Sequence, residues 1–153
     1  MGYTHYWNFK NRVAPKDIEG GQEKFKNAVA LFKECLAECN GKTRYPNWGD
    51  NRFEKEVPMV LAGGNGYGYP IITDTEVIFN GERKNYNSHE SFVICVDRRG
   101  WDFCKTERKP YDTAVCLALL CFKKAFGEDF SYTSDGGETE WEWAKSVFRK
   151  VTE

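Results

Sequence analysis

The residues that most constrain the fold form a helix that is apolar almost all round. Pro110 suits the first turn of a helix, where its missing N–H leaves no hydrogen bond unmade. The run Ala114–Phe122 that follows is apolar on every side, so the helix, which we expect to end at Phe126, must be buried by other elements. Strand-like segments flank it at Trp101–Lys105 and Phe130–Thr133. The sequence therefore predicts a strand–helix–strand unit around a buried helix.

Hydrophobic periodicity supplies the remaining elements. Strands are predicted over residues 3–9, 57–62, 70–72, 76–79 and 90–96, and helices over residues 17–39 and 139–151. Together these patterns predict one α+β domain spanning residues 1–153. We expect a single mixed, largely antiparallel sheet with about three helices, including a C-terminal β-β-α-β-α unit.

Composition limits the classes of partner. The net charge is −1, so no field of the whole molecule favours a DNA or RNA polymer or an anionic membrane. The longest apolar run is far short of the ~20 residues that span a bilayer. Aromatic residues make up 16% of the chain, more than one small core needs, which favours a groove or interface lined with rings. A homo-oligomer stays an open alternative.

The six cysteines contain no Cys-x-x-Cys pair, and histidine is too scarce to complete a conventional zinc site. We therefore expect reduced, mostly buried thiols in a cytoplasmic protein, with no metal and no cofactor. Cys104 is a weaker candidate nucleophile, because Lys105 and a helix N-terminus nearby would favour its thiolate.

A basic segment before the buried helix is the most suggestive polar feature. If Val96 faces Trp101 across the turn at residues 97–100, Phe92 faces Lys105 and His89 lies near Arg108. If the two strands that flank the helix are parallel, Ser134–Gly137 lies at the same end of the sheet. Ligands of open α/β sheets bind outside such strand ends.

Two helix N-termini are also expected at this end of the sheet, and each offers unpaired N–H groups and about half a positive charge. This combination is suited to a phosphate or carboxylate. The predicted ligand-binding set is Lys105, Thr106, Arg108, Lys109, Tyr111, His89, Ser134, Asp135, Gly136, His5 and Trp7. The alternative is a solvated loop with ordinary surface ion pairs. Asp112, in the first helical turn, is interpreted as a cap or as an acid favoured by the helix dipole.

The chain has only two histidines. His89 and Glu90, or His5, could perform acid–base chemistry if the protein is an enzyme. Neither histidine stands in the His-x-Thr or His-x-Ser pattern of two-histidine phosphodiesterases. His5 in an aromatic strand also fits a packed core residue.

A glycine-rich run covers Gly63–Gly68. No Gly-Lys-Ser/Thr follows it, as a P-loop would require, and no helix follows it, as a dinucleotide fingerprint would require. A hairpin loop is the simpler interpretation, and a mobile flap carrying Tyr67 and Tyr69 is the alternative.

Several short segments resemble a group of small uncharacterised bacteriophage and prophage proteins. They are the opening Met-Gly-Tyr-Thr-His-Tyr-Trp, the residues Phe103–Thr106 and Lys109–Asp112, and Ser134–Gly136. The group has no established activity, so no residue roles are transferred. The resemblance implies a phage setting and a location in the host cytoplasm.

These observations favour a protein that binds a phosphate-bearing, nucleotide-like small molecule, with sequestration of a host immune nucleotide signal as one role. Lys105, Arg108 and Lys109 would hold phosphate, and Tyr6, Trp7 or Tyr111 would stack on a base. One alternative is a hydrolase or phosphodiesterase acting on such a nucleotide. Another is a protein–protein inhibitor with an aromatic interface.

Overall fold

The computed structural model describes residues 3–45 and 55–153, and for Tyr45 and Lys55 the backbone alone. This part of the chain contains nine strands and three α-helices. The strands are β1 (Thr4–Phe9), β2 (Lys42–Tyr45), β3 (Lys55–Pro58), β4 (Leu61–Ala62), β5 (Ile71–Ile72), β6 (Glu76–Gly81), β7 (Phe92–Cys95), β8 (Trp101–Lys105) and β9 (Phe130–Ser134). The helices are α1 (Gly21–Cys39), α2 (Asp112–Phe126) and α3 (Glu138–Thr152).

The α+β class, the three helices and the C-terminal order β7-β8-α2-β9-α3 are confirmed. The expectation of a single sheet is wrong, because the described strands form three antiparallel sheets. One sheet has the order β8-β1-β9, a second pairs β2 with β3, and in the third β6 pairs with β4, β5 and β7.

The predicted register between β7 and β8 is also wrong, because β7 pairs with β6 and β8 pairs with β1. The chain that follows β1 forms hydrogen bonds to both ends of the turn between β7 and β8, at positions where these two strands would otherwise pair. Lys16 donates its N–H to the Val96 carbonyl, and Gly100 donates to the Arg12 carbonyl. A Cβ on Gly100 would lie 1.9 Å from the Val13 carbonyl oxygen, so glycine permits this close approach.

The connection β8-α2-β9 joins two strands that are both antiparallel to β1. The two strands are therefore parallel to each other, with β1 between them. Thr4 lies opposite Lys105, and His5 lies opposite Ser134. The C-terminal ends of β8 and β9 consequently lie at the same end of the sheet, on either side of the start of β1, as expected for a parallel crossover.

Helix α2 lies in the core, as its sequence predicts. Its residues Ala114–Leu119 are fully buried, and α1 packs against it through Phe25 and Phe122, whose ring centroids are 5.1 Å apart. Phe9 brings β1 into the same cluster, 4.9 Å from Phe126. The helix is therefore covered by α1, α3 and the inner side of the β8-β1-β9 sheet, as its uniformly apolar surface requires.

Side chains on β1 alternate between the two faces of its sheet, as strand geometry dictates. We call the buried side the inner face, where His5, Trp7 and Phe9 point towards the helices. We call the opposite side the outer face, where Tyr6 is 46% exposed. Besides the buried Thr4, the register places seven residues on the outer face: Tyr6, Asn8, Trp101, Phe103, Lys105, Ser131 and Thr133.

Candidate functional site

A buried polar cluster occupies the inner face where β1 meets the start of α2. His5 Nε2 lies 2.6 Å from Asp112 Oδ1, and the Thr106 hydroxyl donates to the same oxygen over 2.6 Å. The Cys116 thiol donates to Asp112 Oδ2 over 3.7 Å and lies 4.0 Å from His5 Nε2. We call His5, Thr106, Asp112 and Cys116 the inner cluster. Three of its members are fully buried, and the Asp112 side chain is 14% exposed.

Local structure explains why these residues meet. Asp112 is the first residue of α2, and Cys116 follows one turn later on the same helical face. Thr106 comes directly after β8, where its N–H donates to the Tyr3 carbonyl. Glu107 and Arg108 have φ values of 53° and 55°, and this left-handed turn leads the chain into the helix.

Aromatic rings enclose His5. The ring of Tyr3 lies edge-to-face at 5.2 Å, and that of Trp141 at 5.6 Å. Trp141 Nε1 donates to Ser134 Oγ over 3.1 Å. The described residues provide no hydrogen-bond partner for His5 Nδ1, which is rare for a buried polar atom.

Two cations of the predicted anion site form ion pairs with acidic side chains of the chain itself. Arg108 pairs with Glu140 at 2.9 Å and lies over the Tyr3 ring, while Lys109 is 3.4 Å from Glu107. Glu140 also accepts the Gly137 N–H at the start of α3, so an internal carboxylate occupies this N-terminus. The structure thus places each of these two cations beside an acidic partner.

Ser134, Asp135 and Gly136 join the sheet to α3. Ser134 Oγ accepts the Gly136 N–H over 2.9 Å, and Asp135 Oδ2 accepts the Thr4 N–H over 3.0 Å. A Cβ on Gly136 would lie 2.0 Å from the Tyr3 hydroxyl. These contacts satisfy the polar groups of the segment internally, although Ser134 and Gly136 still line a depression of about 270 Å³ beside Trp141 and Lys145.

Two of the three predicted stacking residues lie in the core. Tyr111 is fully buried and donates its hydroxyl to the Glu90 carbonyl, and Trp7 is buried with its ring 4.9 Å from Phe92. Neither ring has a free face for a base. The third, Tyr6, is exposed.

The candidate acid–base residues are dispersed. The His89 side chain is exposed, and its backbone N–H and carbonyl both bond to Asn80. Glu90 accepts the Lys105 N–H over 2.7 Å, so it does reach the predicted end of the sheet. His5 lies buried on the inner face.

All six cysteines are free and buried. Cys104, the weaker candidate nucleophile, does not favour a thiolate, because burial, reinforced by the charge of Glu90, raises the pKa of this thiol. Burial and the charge of Asp112 likewise raise the pKa of Cys116. Cys35 and Cys121 lie with their sulfurs 3.9 Å apart between α1 and α2.

The outer face carries the other group of candidate residues. Tyr6 and Phe103 lie directly opposite in the register, with ring centroids 6.3 Å apart and planes tilted by 38°. Trp101 lies two residues before Phe103 on the same face, and Arg12 and Arg99 lie over its ring at 5.4 and 4.7 Å. These residues, except Arg99, line a shallow depression of about 380 Å³.

The glycine-rich loop Gly63–Gly68 packs against the rest of its sheet. Gly63 donates its N–H to the carbonyls of Tyr67 and Gly68, and the Asn65 N–H donates to Ser91 Oγ over 3.0 Å. These contacts favour a closed turn. Tyr67 and Tyr69 remain 63% and 91% exposed.

Several residues that define the two faces are not among the ligand-binding residues that the sequence predicts. Asp112 was interpreted as a cap and Cys116 as core, yet their spacing of four residues already placed both on one helical face. Trp101 and Phe103 alternate with Asp102 and Cys104, which predicts a shared outer face. The pairing of β8 with β1, which brings Tyr6 beside Phe103, had no local signal.

Comparisons with known proteins assign no family, because no family model, curated protein or solved structure matches the chain. None of the described helices is both long enough and apolar enough to cross a membrane.

Proposed function

We propose that the outer face binds a phosphate-bearing ligand with a nucleobase, and that Tyr6 and Phe103 stack on the base. The carrying observation is the exposed aromatic pair on an open sheet, flanked by cationic side chains. Tyr6, Phe103 and Trp101 are 46%, 42% and 36% exposed. Stacking on such rings is worth ~1–3 kcal/mol per base.

Cations around the rings favour an anionic ligand. Arg12 and Lys105 are exposed, and neither forms an ion pair with another described residue. Arg99 adds a third cation, which Asp102 partly neutralises at 3.5 Å. The local charge is therefore positive although the whole chain carries −1.

Backbone strain supports a role for Arg12. Asn11 and Arg12 have φ values of 60° and 58°, a conformation that residues other than glycine adopt infrequently. The Gly100 N–H holds the Arg12 carbonyl, and the guanidinium lies over Trp101. Strain of this kind concentrates at ligand-binding positions.

Hydrogen-bonding groups border the rings on the same face. Asn8 donates to Ser131 Oγ over 2.9 Å, and Thr133 lies opposite Tyr6 in the register. Such groups suit the edge of a base. The depression beside them includes Asp102 but neither of the two histidines, which favours binding over cleavage.

The proposal keeps Lys105 and Tyr6 from the sequence-based hypothesis and moves the site away from Arg108 and Lys109. Those two cations already face Glu140 and Glu107. The ligand is a free nucleotide or a short single strand, since both present a base and a phosphate.

Tryptophan fluorescence titration tests the proposal with inorganic phosphate, adenosine monophosphate, cyclic nucleotides and short oligo-deoxythymidine. We expect binding to a base-containing ligand but not to phosphate alone. Tyr6→Ala or Phe103→Ala should weaken it about 5- to 150-fold, the equivalent of ~1–3 kcal/mol. Tyr69→Ala, which removes an exposed tyrosine that precedes β5 in another sheet, is the matched control. Equal losses in all three variants, or no binding to any probe, would overturn the proposal.

Two further readouts separate the ligand sources and the reaction. Binding to oligo-deoxythymidine but not to single nucleotides identifies a strand, and its salt dependence should be reduced in Lys105→Ala. Ligand recovered intact after denaturation identifies sequestration, whereas recovered product supports the hydrolase alternative.

A further inference from the structure

Three ligand-type side chains converge at the inner cluster from distant parts of the chain. His5 comes from β1, and Asp112 and Cys116 come from the first turns of α2. One nitrogen, one carboxylate oxygen and one sulfur from these residues all lie within 4.8 Å of one another.

The arrangement does not fit a nucleophilic relay. In such a relay the imidazole uses one nitrogen for the nucleophile and the other for the carboxylate. Here the same atom, His5 Nε2, lies 2.6 Å from Asp112 Oδ1 and 4.0 Å from the Cys116 sulfur. Nδ1 points to neither group and has no described partner. Convergence of three donor atoms on one point is instead the geometry of a metal site.

We propose that His5, Asp112 and Cys116 form a binding site for a divalent transition metal of the zinc class. Imidazole, thiolate and carboxylate are the three donor types that zinc uses in proteins. The site is independent of the outer-face ligand, because it lies on the opposite side of β1.

The distances are close to those of a tetrahedral centre. Zinc bonds of ~2.0 Å to nitrogen or oxygen and ~2.3 Å to sulfur place two such ligands about 3.3–3.6 Å apart. The Cys116 sulfur is 3.7 Å from Asp112 Oδ2 and 4.0 Å from His5 Nε2. The His5–Asp112 separation of 2.6 Å is that of a hydrogen bond and would lengthen as the metal replaces the shared proton.

The surrounding contacts would orient the ligands. Thr106 donates to Asp112 Oδ1 over 2.6 Å, which leaves Oδ2 on the side of the Cys116 sulfur. Hydrogen bonds of this kind to a ligating carboxylate are usual around protein metal sites. The Thr106 hydroxyl or a water would complete the fourth position.

The proton balance follows from the ligands. Binding of one divalent ion displaces the thiol proton of Cys116. Where the imidazole of His5 is doubly protonated its Nε2 proton is also released, and where it is neutral with the proton on Nε2 that proton moves to Nδ1. The resulting centre combines a 2+ ion with one thiolate, one carboxylate and one neutral imidazole, so the buried site carries no net charge.

Cobalt(II) titration of the full chain, prepared with a chelator and a reductant, tests the site. We expect one cobalt per chain, with a sulfur-to-cobalt charge-transfer band and the visible absorption of tetrahedral cobalt. Cys116→Ala should abolish the charge-transfer band. Cys121→Ala, another fully buried cysteine of α2, should retain it and is the matched control.

Cadmium-113 NMR of the unmodified chain keeps the test valid if a variant fails to fold. A resonance with the shift of a single thiolate ligand supports the site. A shift that indicates two thiolates would assign the metal to the Cys35–Cys121 pair, whose sulfurs are 3.9 Å apart, and would overturn the proposal. Absence of stoichiometric cobalt or cadmium binding would overturn it as well.

Discussion

The two faces of the β8-β1-β9 sheet differ in what their side chains are available to do. On the inner face, His5 and Trp7 are at most 4% exposed and are held by hydrogen bonds or ring contacts. Tyr6 lies between them in sequence but on the outer face, where it is 46% exposed. Because successive side chains of β1 point to opposite faces, alternating residues form an enclosed polar site and an open aromatic surface. A substitution can therefore alter one face and leave the other unchanged.

The largest contrast should come from adjacent residues of β1. Trp7→Ala removes a buried ring packed on Phe92 and should lower the free energy of unfolding by ~3–5 kcal/mol. Tyr6→Ala removes an exposed ring and should change it by less than about 1 kcal/mol. Urea unfolding of both variants measures the difference. Similar losses would contradict the assignment of the two faces.

Local patterns predicted most elements but not how they pair. Trp101–Lys105 was predicted with the bounds of β8, and Phe130–Thr133 lacks only the last residue of β9. These patterns depend on neighbours in sequence. The pairing of β8 with β1 joins residues about 100 positions apart in sequence, and hydrophobic periodicity carries no information about such contacts.

The candidate site was predicted only in part, because it too depends on contacts between residues that are distant in sequence. The ends of β8 and β9 meet as expected, yet Arg108 and Lys109 face Glu140 and Glu107. A charge pattern shows which cations are near in sequence and not which carboxylates fold onto them. Asp112 illustrates this limit, because its His5 partner lies 107 residues away.

The next largest effect concerns the inner cluster. Asp112→Ala leaves the His5 ring and the Thr106 hydroxyl without their shared acceptor, so we expect a loss of ~2–4 kcal/mol in unfolding free energy. Asp129→Ala breaks only a partly exposed ion pair with Lys24 at 3.7 Å and should cost less than about 1 kcal/mol. Calorimetry of the two variants measures the contrast, and equal stability would show that the cluster does not stabilise the inner face.

The close approach of Gly136 to Tyr3, at the end of the sheet, offers a steric test. Gly136→Ala would place a Cβ 2.0 Å from the Tyr3 hydroxyl, and overpacking of this kind should cost ~1–3 kcal/mol. Gly137→Ala meets only Glu140 Oε1 at 4.0 Å and is the matched control. Thermal unfolding should therefore separate the two alanines. A stable Gly136→Ala protein would mean that Tyr3 does not lie against this glycine.

The smallest effect is a loss of folding stability at alkaline pH. Burial raises the pKa of the Cys104 thiol in the folded chain, so the unfolded chain releases this proton first, near pH 8.5. The associated stability is present below that pH and is lost as pH rises above it, by up to ~1.4 kcal/mol per pH unit. Urea unfolding from pH 7.5 to 9.5 should show a shallower decline for Cys104→Ala than for the unmodified chain. An identical decline would place this thiol in contact with solvent.

The central claim is that the outer face, and not the buried end of the sheet, receives the ligand. It is tested most directly by the indole N–H signals of Trp101 and Trp141 in an NMR titration with oligo-deoxythymidine and adenosine monophosphate. Trp101 lies on the outer face, whereas Trp141 donates to Ser134 beside His5. We expect the Trp101 signal to move with added ligand while the Trp141 signal stays in place. Movement of Trp141 with a stationary Trp101 would contradict the claim.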